Sequence, residues 1–461
     1  MQKLIKLNTV GWITVVSAVI LLLASILKHE LFQSTAYDLG IFDQAVYLIS
    51  QGKPPISTYM GFHILGDHAA LIHYLLAALY KIYPTVYWLF VVQSVSLALG
   101  TIPTWYLALQ AGLKESQAVA MAIVYLLYPV VFNVNLFDFH PEVIALPLFL
   151  AAVLFARQGK IVWFGISIIF ILACKAVLSL TVIAMGFWLL VFDKRRLCGL
   201  IAILAGIAWF LISTQIIIPT FSGREAAAVG RYSYLGNSVL EIATNLILKP
   251  GIIFGTVFSL DNLGYIILLI IPIIWGLSYV SIKPLLGAVP CIALNLLTDY
   301  QTQKDLVHQY SLPALPFLII AVISTLAAGK GWLQTKRAII IWSIVSFLCL
   351  AKYTYFGGRY LKSIDTWGAT REAISLVKTK GSVYTTAEIS PHLSHRQLIN
   401  LTSTDVPSNL AQFNYILLNT RHPGWGSSQE FAIGLVNKLK SEQKFNLQYQ
   451  RDDVYLFVKK N

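Results

Sequence analysis

The chain has 461 residues, 57% of them hydrophobic and only 12% charged, with a mean hydropathy of +0.69. Soluble domains carry about 25% charged residues, so an ordinary soluble globule is excluded. The net charge of +13 does not indicate nucleic acid, because Lys and Arg sit at the ends of apolar runs, where they orient a membrane protein, and form no groove-lining stripe.

Several apolar runs approach the roughly 20 residues that cross a bilayer as a helix. The first, Gly11 to Leu27, follows Lys3 and Lys6 as a signal peptide would, but it lacks a small-residue cleavage site and is expected as a retained anchor. Spans are expected at about 11–28, 86–109, 117–133, 142–156, 161–174, 176–192, 198–218, 263–281, 284–298, 312–328 and 338–355. The fold class is therefore mainly α: a polytopic membrane protein with about eleven spans over residues 1–355. Placing the N-terminus in the cytoplasm keeps Lys114, Arg157, Lys160, Lys194, Arg195, Arg196, Lys283, Lys330, Lys336 and Arg337 inside, in short loops. The same threading puts 11 of the 13 acids before residue 356 outside, leaving only Glu115 and Asp193 within. One face gathers carboxylates. Cys174, Cys198, Cys291 and Cys349 stand alone, without zinc or redox spacing, and are expected as buried, inert thiols.

Two outer segments are long. In the first, about 29–85, Tyr37 to Ser50 carries Ile41, Phe42, Ala45, Val46 and Ile49 at helical spacing. Ala69 to Tyr83 is apolar enough to lie at the membrane interface. The second, about 219–262, holds Arg224, Glu225 and Arg231 around Gly223, Gly230 and Gly236 and reads as a loop. From 356 to 461 the charges become denser. Strand-like runs Ser382–Thr386, Tyr415–Asn419 and Val454–Lys459 alternate with helical runs Thr366–Lys380 and Ser428–Gln443. That is a small α/β domain, expected outside the membrane.

Four places carry candidate chemistry. On a helix Asp38 and Asp43 stand about 140° apart; Asp38 shares the packed face with Phe42, Ala45 and Ile49, as a site residue or a helix cap, and Asp43 faces elsewhere, in a solvated or structural role. Asp67 and His68 precede an apolar helix, where they orient an imidazole, bind a cation or cap the helix. Asp138, His140 and Glu142, with Pro141 starting the next helix, form a dense ionisable turn suited to Mg²⁺ or Mn²⁺ or to positioning an acceptor. Lys175 interrupts an apolar stretch at a cost of roughly 2.5–3.5 kcal/mol if left mid-bilayer. It therefore snorkels to the interface or meets a lipid phosphate. Arg224, Arg231, His308 and Tyr310 are weaker candidates for a phosphate or sugar.

The segments Tyr37-Asp38-Leu39-Gly40 with Gln44, Gly66-Asp67-His68, Asp138 to Glu142 and Pro391-His392-Leu393-Ser394-His395-Arg396 resemble those of an uncharacterised family of bacterial multispanning proteins. The resemblance covers nearly the whole chain. The family tends to place an acid after the lysine of its mid-chain motif, whereas here Ala176 follows Lys175. More distantly the plan is similar to the glycosyltransferase-C superfamily, whose members take sugars from polyprenyl-phosphate carriers and use an acid of the first outer loop as base. Many of those enzymes have adjacent acids there, whereas Asp38 and Asp43 are separated. The resemblance implies an inverting sugar transferase of the cytoplasmic membrane, with a polyprenyl-phosphate donor, an extracytoplasmic acceptor and contact with membrane lipids. Asp38 would be the base and Asp138 its catalytic companion. Asp43, Asp67, His68, His140 and Glu142 would position acceptor or cation. Lys175, Arg224, Arg231, His308 and Tyr310 would receive the donor phosphate. The alternatives are a transporter or lipid flippase, and a non-catalytic scaffold of envelope assembly.

Overall fold

The structure is a computed structural model that describes residues 8–403 and 409–460. Lys3 and Lys6 lie outside the described residues. In chain order the helices begin with α1 (Thr9–Glu30), α2 (Ile41–Ser50), α3 (Leu65–His68), α4 (Ile72–Ile82), α5 (Tyr87–Leu99) and α6 (Thr101–Gln110). They continue with α7 (Glu115–Leu126), α8 (Pro129–Phe137), α9 (Glu142–Gln158), α10 (Ile161–Cys174), α11 (Leu178–Val191) and α12 (Arg196–Ile212). Then come α13 (Ile218–Ser222), α14 (Val239–Leu248), α15 (Pro250–Val257), α16 (Leu260–Ile270), α17 (Val289–Leu297) and α18 (Leu315–Ala327). The last are α19 (Lys336–Leu350), α20 (Tyr353–Tyr360), α21 (Trp367–Ser375) and α22 (Gln429–Ser441). Proline opens α8 and α15, where its missing N–H costs nothing. Gly159, at φ +72°, closes α9 in the left-handed conformation that glycine tolerates best.

The chain divides into two compact units. The first comprises Met1–Leu23, Leu65–Ile72 and Val91–Lys352; the second comprises Ala24–Ile64, His73–Phe90 and Tyr353–Asn461. The second unit thus takes in much of the long first outer segment together with the C-terminal residues.

In the first unit α11 and α12 approach most closely because glycine faces glycine. A Cβ on Gly199 would lie 2.7 Å from the Gly186 carbonyl oxygen, and one on Gly186 would lie 2.8 Å from that of Gly199. Small residues at such crossings let backbones touch, and close packing holds helices together where lipid is as apolar as leucine. Buried polar side chains spend their donors on carbonyls, as they must in a dry interior. Asn133 donates to Leu306 O at 2.8 Å, Asn135 to Leu21 O at 2.8 Å and Tyr128 to Leu269 O at 2.5 Å.

The second unit contains a five-stranded sheet of β3 (Val383–Thr385), β4 (Ile399–Leu401), β5 (Tyr415–Asn419), β6 (Phe445–Arg451) and β7 (Val454–Lys459) in the order β4-β3-β5-β7-β6, following a short hairpin of β1 (Ile56–Ser57) and β2 (Phe62–His63). The first three sheet strands are parallel, and β7 runs antiparallel to β5 and β6. Alternation along the strands divides the core between two faces. Val383, Leu417 and Leu456 pack with Ala369 and Ala373 of α21, while Tyr384, Ile416 and Phe457 pack with Leu435 and Leu439 of α22. All three expected strands and both expected helices are present; β4 and β6 were not anticipated. The β6–β7 turn uses Asp452 and Asp453 at φ +47° and +63°, a left-handed pair usually signalled by glycine.

Each of the eleven expected spans has a helix at its place. Among the described residues, however, only five helical segments are long and apolar enough to cross a membrane, or up to seven if two bent pairs count as single spans. The five are Thr9–Glu30, Tyr87–Gln110, Glu115–Phe137, Arg196–Ser222 and Gln309–Ala327. α10 and α11 have 14 residues each, and at 1.5 Å per residue each covers about 21 Å of a core about 30 Å thick. The expected glycine-rich loop at 219–262 is instead largely helical, with α14 and α15 meeting at 92°. Cys174, Cys198 and Cys291 are buried, but Cys349 is exposed, on a stretch of α19 where Ile341, Val345 and Leu348 are exposed as well.

Gly199→Leu should destabilise the protein by about 1–3 kcal/mol through overpacking, read as an earlier thermal unfolding in detergent. Gly165→Leu, at a position with no atom within 4 Å, should leave unfolding unchanged. Equal melting of Gly199→Leu and wild type would contradict the α11–α12 packing.

Candidate functional site

Lys175 sits where the apolar run from 161 to 191 breaks. It is extended, at φ −166° and ψ 140°, between the end of α10 and the start of α11. The break is held from outside the helices: the Ala176 N–H donates to the His68 carbonyl at 2.9 Å. His68 ends α3, and α3 is pinned in turn, because a Cβ on Gly66 would come within 2.7 Å of the Ser222 nitrogen. The next residue, Ala69, adopts φ +51° and is fully buried. A left-handed alanine costs roughly 1–2 kcal/mol, and here it turns the chain sharply after the Asp67-His68 pair.

The Lys175 ammonium donates to Glu142 Oε1 at 2.5 Å, and both residues are buried, at 7% and 4% exposure. Glu142 opens α9, where a carboxylate is favoured by the helix dipole. Its second oxygen, Oε2, is buried and has no hydrogen-bond partner among the described residues. Asp138 and His140, just before α9, are also buried, and His140 Nδ1 lies 3.3 Å from the Asp138 carbonyl oxygen. The His140 ring stacks on Phe137 at 5.6 Å, and Phe137 also meets the His308 ring edge-on at 4.3 Å.

A second cation completes the cluster. The Arg231 guanidinium lies 4.7 Å from the Tyr300 ring and 5.2 Å from the Tyr310 ring, and it donates to Gln303 Oε1 at 3.0 Å. Lys175 Nζ is 6.0 Å from the same Tyr310 ring, so both cations lie beside one aromatic ring. His308 is held by Asp305 at 2.8 Å.

Asp67 remains partly open, its side chain 20% exposed, with its carboxylate 3.3 Å from His68 Nε2. Burial pushes the Asp67 carboxyl up to about 6, against the opposing pull of Lys175. Burial also holds the His68 imidazole well below its ordinary value, with Lys175, Arg231 and His140 adding to the effect. At neutral pH the pair is therefore an ionised carboxylate beside an uncharged imidazole. Among the described residues, no three His, Cys, Asp or Glu side chains are grouped to hold a metal ion.

Of the candidates read from sequence, the first unit brings together Asp67, His68, Asp138, His140, Glu142, Lys175, Arg231, His308 and Tyr310. Arg224 is exposed on the segment after α13; its backbone, rather than its guanidinium, engages Ser222. Tyr300, Gln303 and Asp305 were missed, although the three-residue spacing of Asp305 and His308 was a readable signal.

Asp38 and Asp43 belong to the second unit. Asp38 is half-buried in the turn Ala36–Gly40, where the Thr35 hydroxyl donates to its Oδ2 at 3.0 Å. Asp43 is fully buried in α2 and accepts from Tyr80 at 2.5 Å and from the Ser394 hydroxyl, with His395 Nε2 3.1 Å away. The neighbouring Gln44 donates to the Arg396 carbonyl at 3.2 Å. Two motifs some 350 residues apart in the chain thus meet on one carboxylate and one amide.

Helices carrying charged groups at their ends, with a small sheet-bearing segment at the C-terminus, define a mainly helical membrane fold. Compared by structure, the chain is similar to ArnT from Cupriavidus metallidurans bound to undecaprenyl phosphate. The TM-score is 0.55 and the identity 11%, over 98% of both chains. The apo state of the same protein aligns with a TM-score of 0.58 at 9% identity, over 97% of this chain and 98% of that one. An Archaeoglobus fulgidus oligosaccharyltransferase aligns at a TM-score of 0.46 and 10% identity, over 97% of this chain and 74% of that one, a looser match that adds nothing to the fold assignment. By sequence the chain belongs to the family of predicted membrane proteins DUF2079, whose profile matches residues 28–456. No curated protein matches it by sequence.

Removing one partner of a buried ion pair strands the other charge, at about 3–5 kcal/mol. Glu142→Gln should therefore lower thermal stability in detergent markedly, and adding Lys175→Met to it should recover much of the loss. A Glu142→Gln protein as stable as wild type would contradict the pairing.

Proposed function

We propose that this protein is an integral-membrane glycosyltransferase that moves a sugar from a polyprenyl-phosphate carrier to a hydroxyl of an extracytoplasmic acceptor. The observation that carries the reading is the pair of cations, Lys175 and Arg231, set beside one tyrosine ring and next to the carboxylates of Glu142 and Asp67. In this reading the protein lies in the cytoplasmic membrane with its N-terminus inside, and the site opens outside. Undecaprenyl phosphate, the ligand in the ArnT structure, is the carrier chemistry such cations suit.

The acceptor oxygen attacks the anomeric carbon as the bond from that carbon to the phosphate oxygen breaks. The bond electrons leave with the polyprenyl phosphate. Lys175 uses one of its three N–H donors on Glu142 and offers the others to the phosphate, while Arg231 adds a planar fork of donors. Positive groups fixed beforehand stabilise the charge that develops on the leaving group. Asp67, the partly open acid of the cluster, takes the acceptor proton in place of Asp38. A carboxyl near 6 is ionised at neutral pH yet basic enough to accept it. The unpartnered Glu142 Oε2 receives a sugar or acceptor hydroxyl, and Asp138 and His140 shape the wall behind it. All these steps use side chains alone.

The Asp67 carboxyl binds a proton below about 6 and cannot act as base there. Transfer should therefore rise between pH 5 and 7 and level off above. Asp67→Asn should cut turnover by about 10²–10⁴-fold and abolish that rise, while Asp67→Glu keeps part of the activity. Mass spectrometry of envelope glycans and glycolipids, in a deletion strain restored with wild type or with Asp67→Asn, checks the reading. A sugar lost on deletion should return only with wild type. Unchanged glycans in the deletion strain would overturn it.

A further inference from the structure

The second unit carries a hollow of ≈ 220 Å³ lined by Ile374, Val377, Lys378, Thr379, Lys380, His392, Leu393, His395 and Arg396. Its charges are all of one sign: Lys378, Lys380 and Arg396 contribute three cations, and no carboxylate is among the lining residues. Arg396 is only 4% exposed, yet its described donors go to two backbone carbonyls, those of Leu393 and Gly381. Burying a guanidinium without a counter-ion is unfavourable, and burial pulls Arg396 down to about 10. Lys380 is drawn down by burial and by Arg396, and among the described residues the carboxylate that opposes this is Asp43. Asp43 is already occupied by Tyr80, Ser394 and His395. The Lys380 ammonium lies 5.7 Å from the Tyr47 ring, which stacks on His395 at 4.6 Å. Lys378 and Lys380 are exposed at the hollow, and Arg396 is buried in its wall. His392, lowered to about 4 by burial, stays neutral and adds a ring that does not repel a further charge.

We infer that this hollow is an anion site that takes a phosphate group, with Arg396 as a fixed fork and Lys378 and Lys380 as mobile point charges. Thr379, between the two lysines, is held in the wall of the hollow, its hydroxyl accepting from the Gly381 N–H at 3.2 Å and sharing a hydrogen bond with the Tyr415 hydroxyl at 3.1 Å. The site lies entirely within the second unit and does not depend on the transferase reading, whose cations, Lys175 and Arg231, belong to the first.

Per-residue lysine labelling tests the inference on the full-length protein in lipid nanodiscs. An amine-acylating reagent is applied with and without millimolar inorganic pyrophosphate, and each lysine is quantified by mass spectrometry. In phosphatidylcholine discs pyrophosphate should slow labelling of Lys378 and Lys380 at least threefold, with Lys438 and Lys440 of the same unit unchanged. Arg396→Lys should weaken that protection, with wild-type labelling of Lys438 and Lys440 confirming that the unit is folded. Protection in phosphatidylglycerol discs without pyrophosphate would identify the phosphate as that of a lipid headgroup, and protection by pyrophosphate alone would identify a soluble or acceptor-borne one. No protection in either disc, or equal protection of all four lysines, would overturn the site.

Discussion

The buried ion pair between Lys175 and Glu142 is the constraint on which the first unit's chemistry depends. An ammonium placed between two short apolar helices is tolerated only with an opposite charge in contact. Glu142 supplies it from the first turn of α9, and the pairing fixes the break between α10 and α11 against that turn. The His68 carbonyl then ties the same break to α3, carrying Asp67 and His68 to the cluster. Charge compensation and backbone geometry therefore specify one arrangement together.

Around that pair the environments of the acids diverge. Glu142 is buried and committed to Lys175 through one oxygen. Asp67 is partly exposed and shifted toward neutrality by burial. Asp305 is engaged by His308. Such separation of roles among neighbouring carboxylates is how one site supplies both a base and fixed electrostatic support. The second unit uses an acid differently: Asp43 is surrounded by donors in a fully buried position, where it holds α2 against the Ser394-His395 segment.

Much of this was legible in the sequence because hydropathy and charge act locally. The apolar runs located every expected helix, and runs of β-branched, aromatic and other apolar residues located the strands Tyr415–Asn419 and Val454–Lys459 to the residue. The cost of a lone lysine in an apolar stretch marked Lys175, and the density of ionisable groups marked 138–142. What sequence could not supply was pairing across distance. Nothing local to Asp43 announces Tyr80 or Ser394, so its burial was not readable, and Asp38 drew attention through helical phase and through the Tyr37-Asp38-Leu39-Gly40 resemblance. β4 was missed because three residues, Ile399–Leu401, are too short to show a period. α14 and α15 were read as loop because the flanking glycines outweighed two brief apolar turns.

The proposed transfer requires the Lys175–Arg231 cluster to hold a lipid phosphate. Equilibrium binding of undecaprenyl phosphate to the purified full-length protein in nanodiscs measures this directly, comparing wild type with Lys175→Met, Arg231→Met and the stabilised double variant Glu142→Gln/Lys175→Met. Saturable binding by wild type, weakened at least tenfold in the folded variants, is the predicted result. Binding of equal strength in all four proteins, or none in wild type, would contradict it.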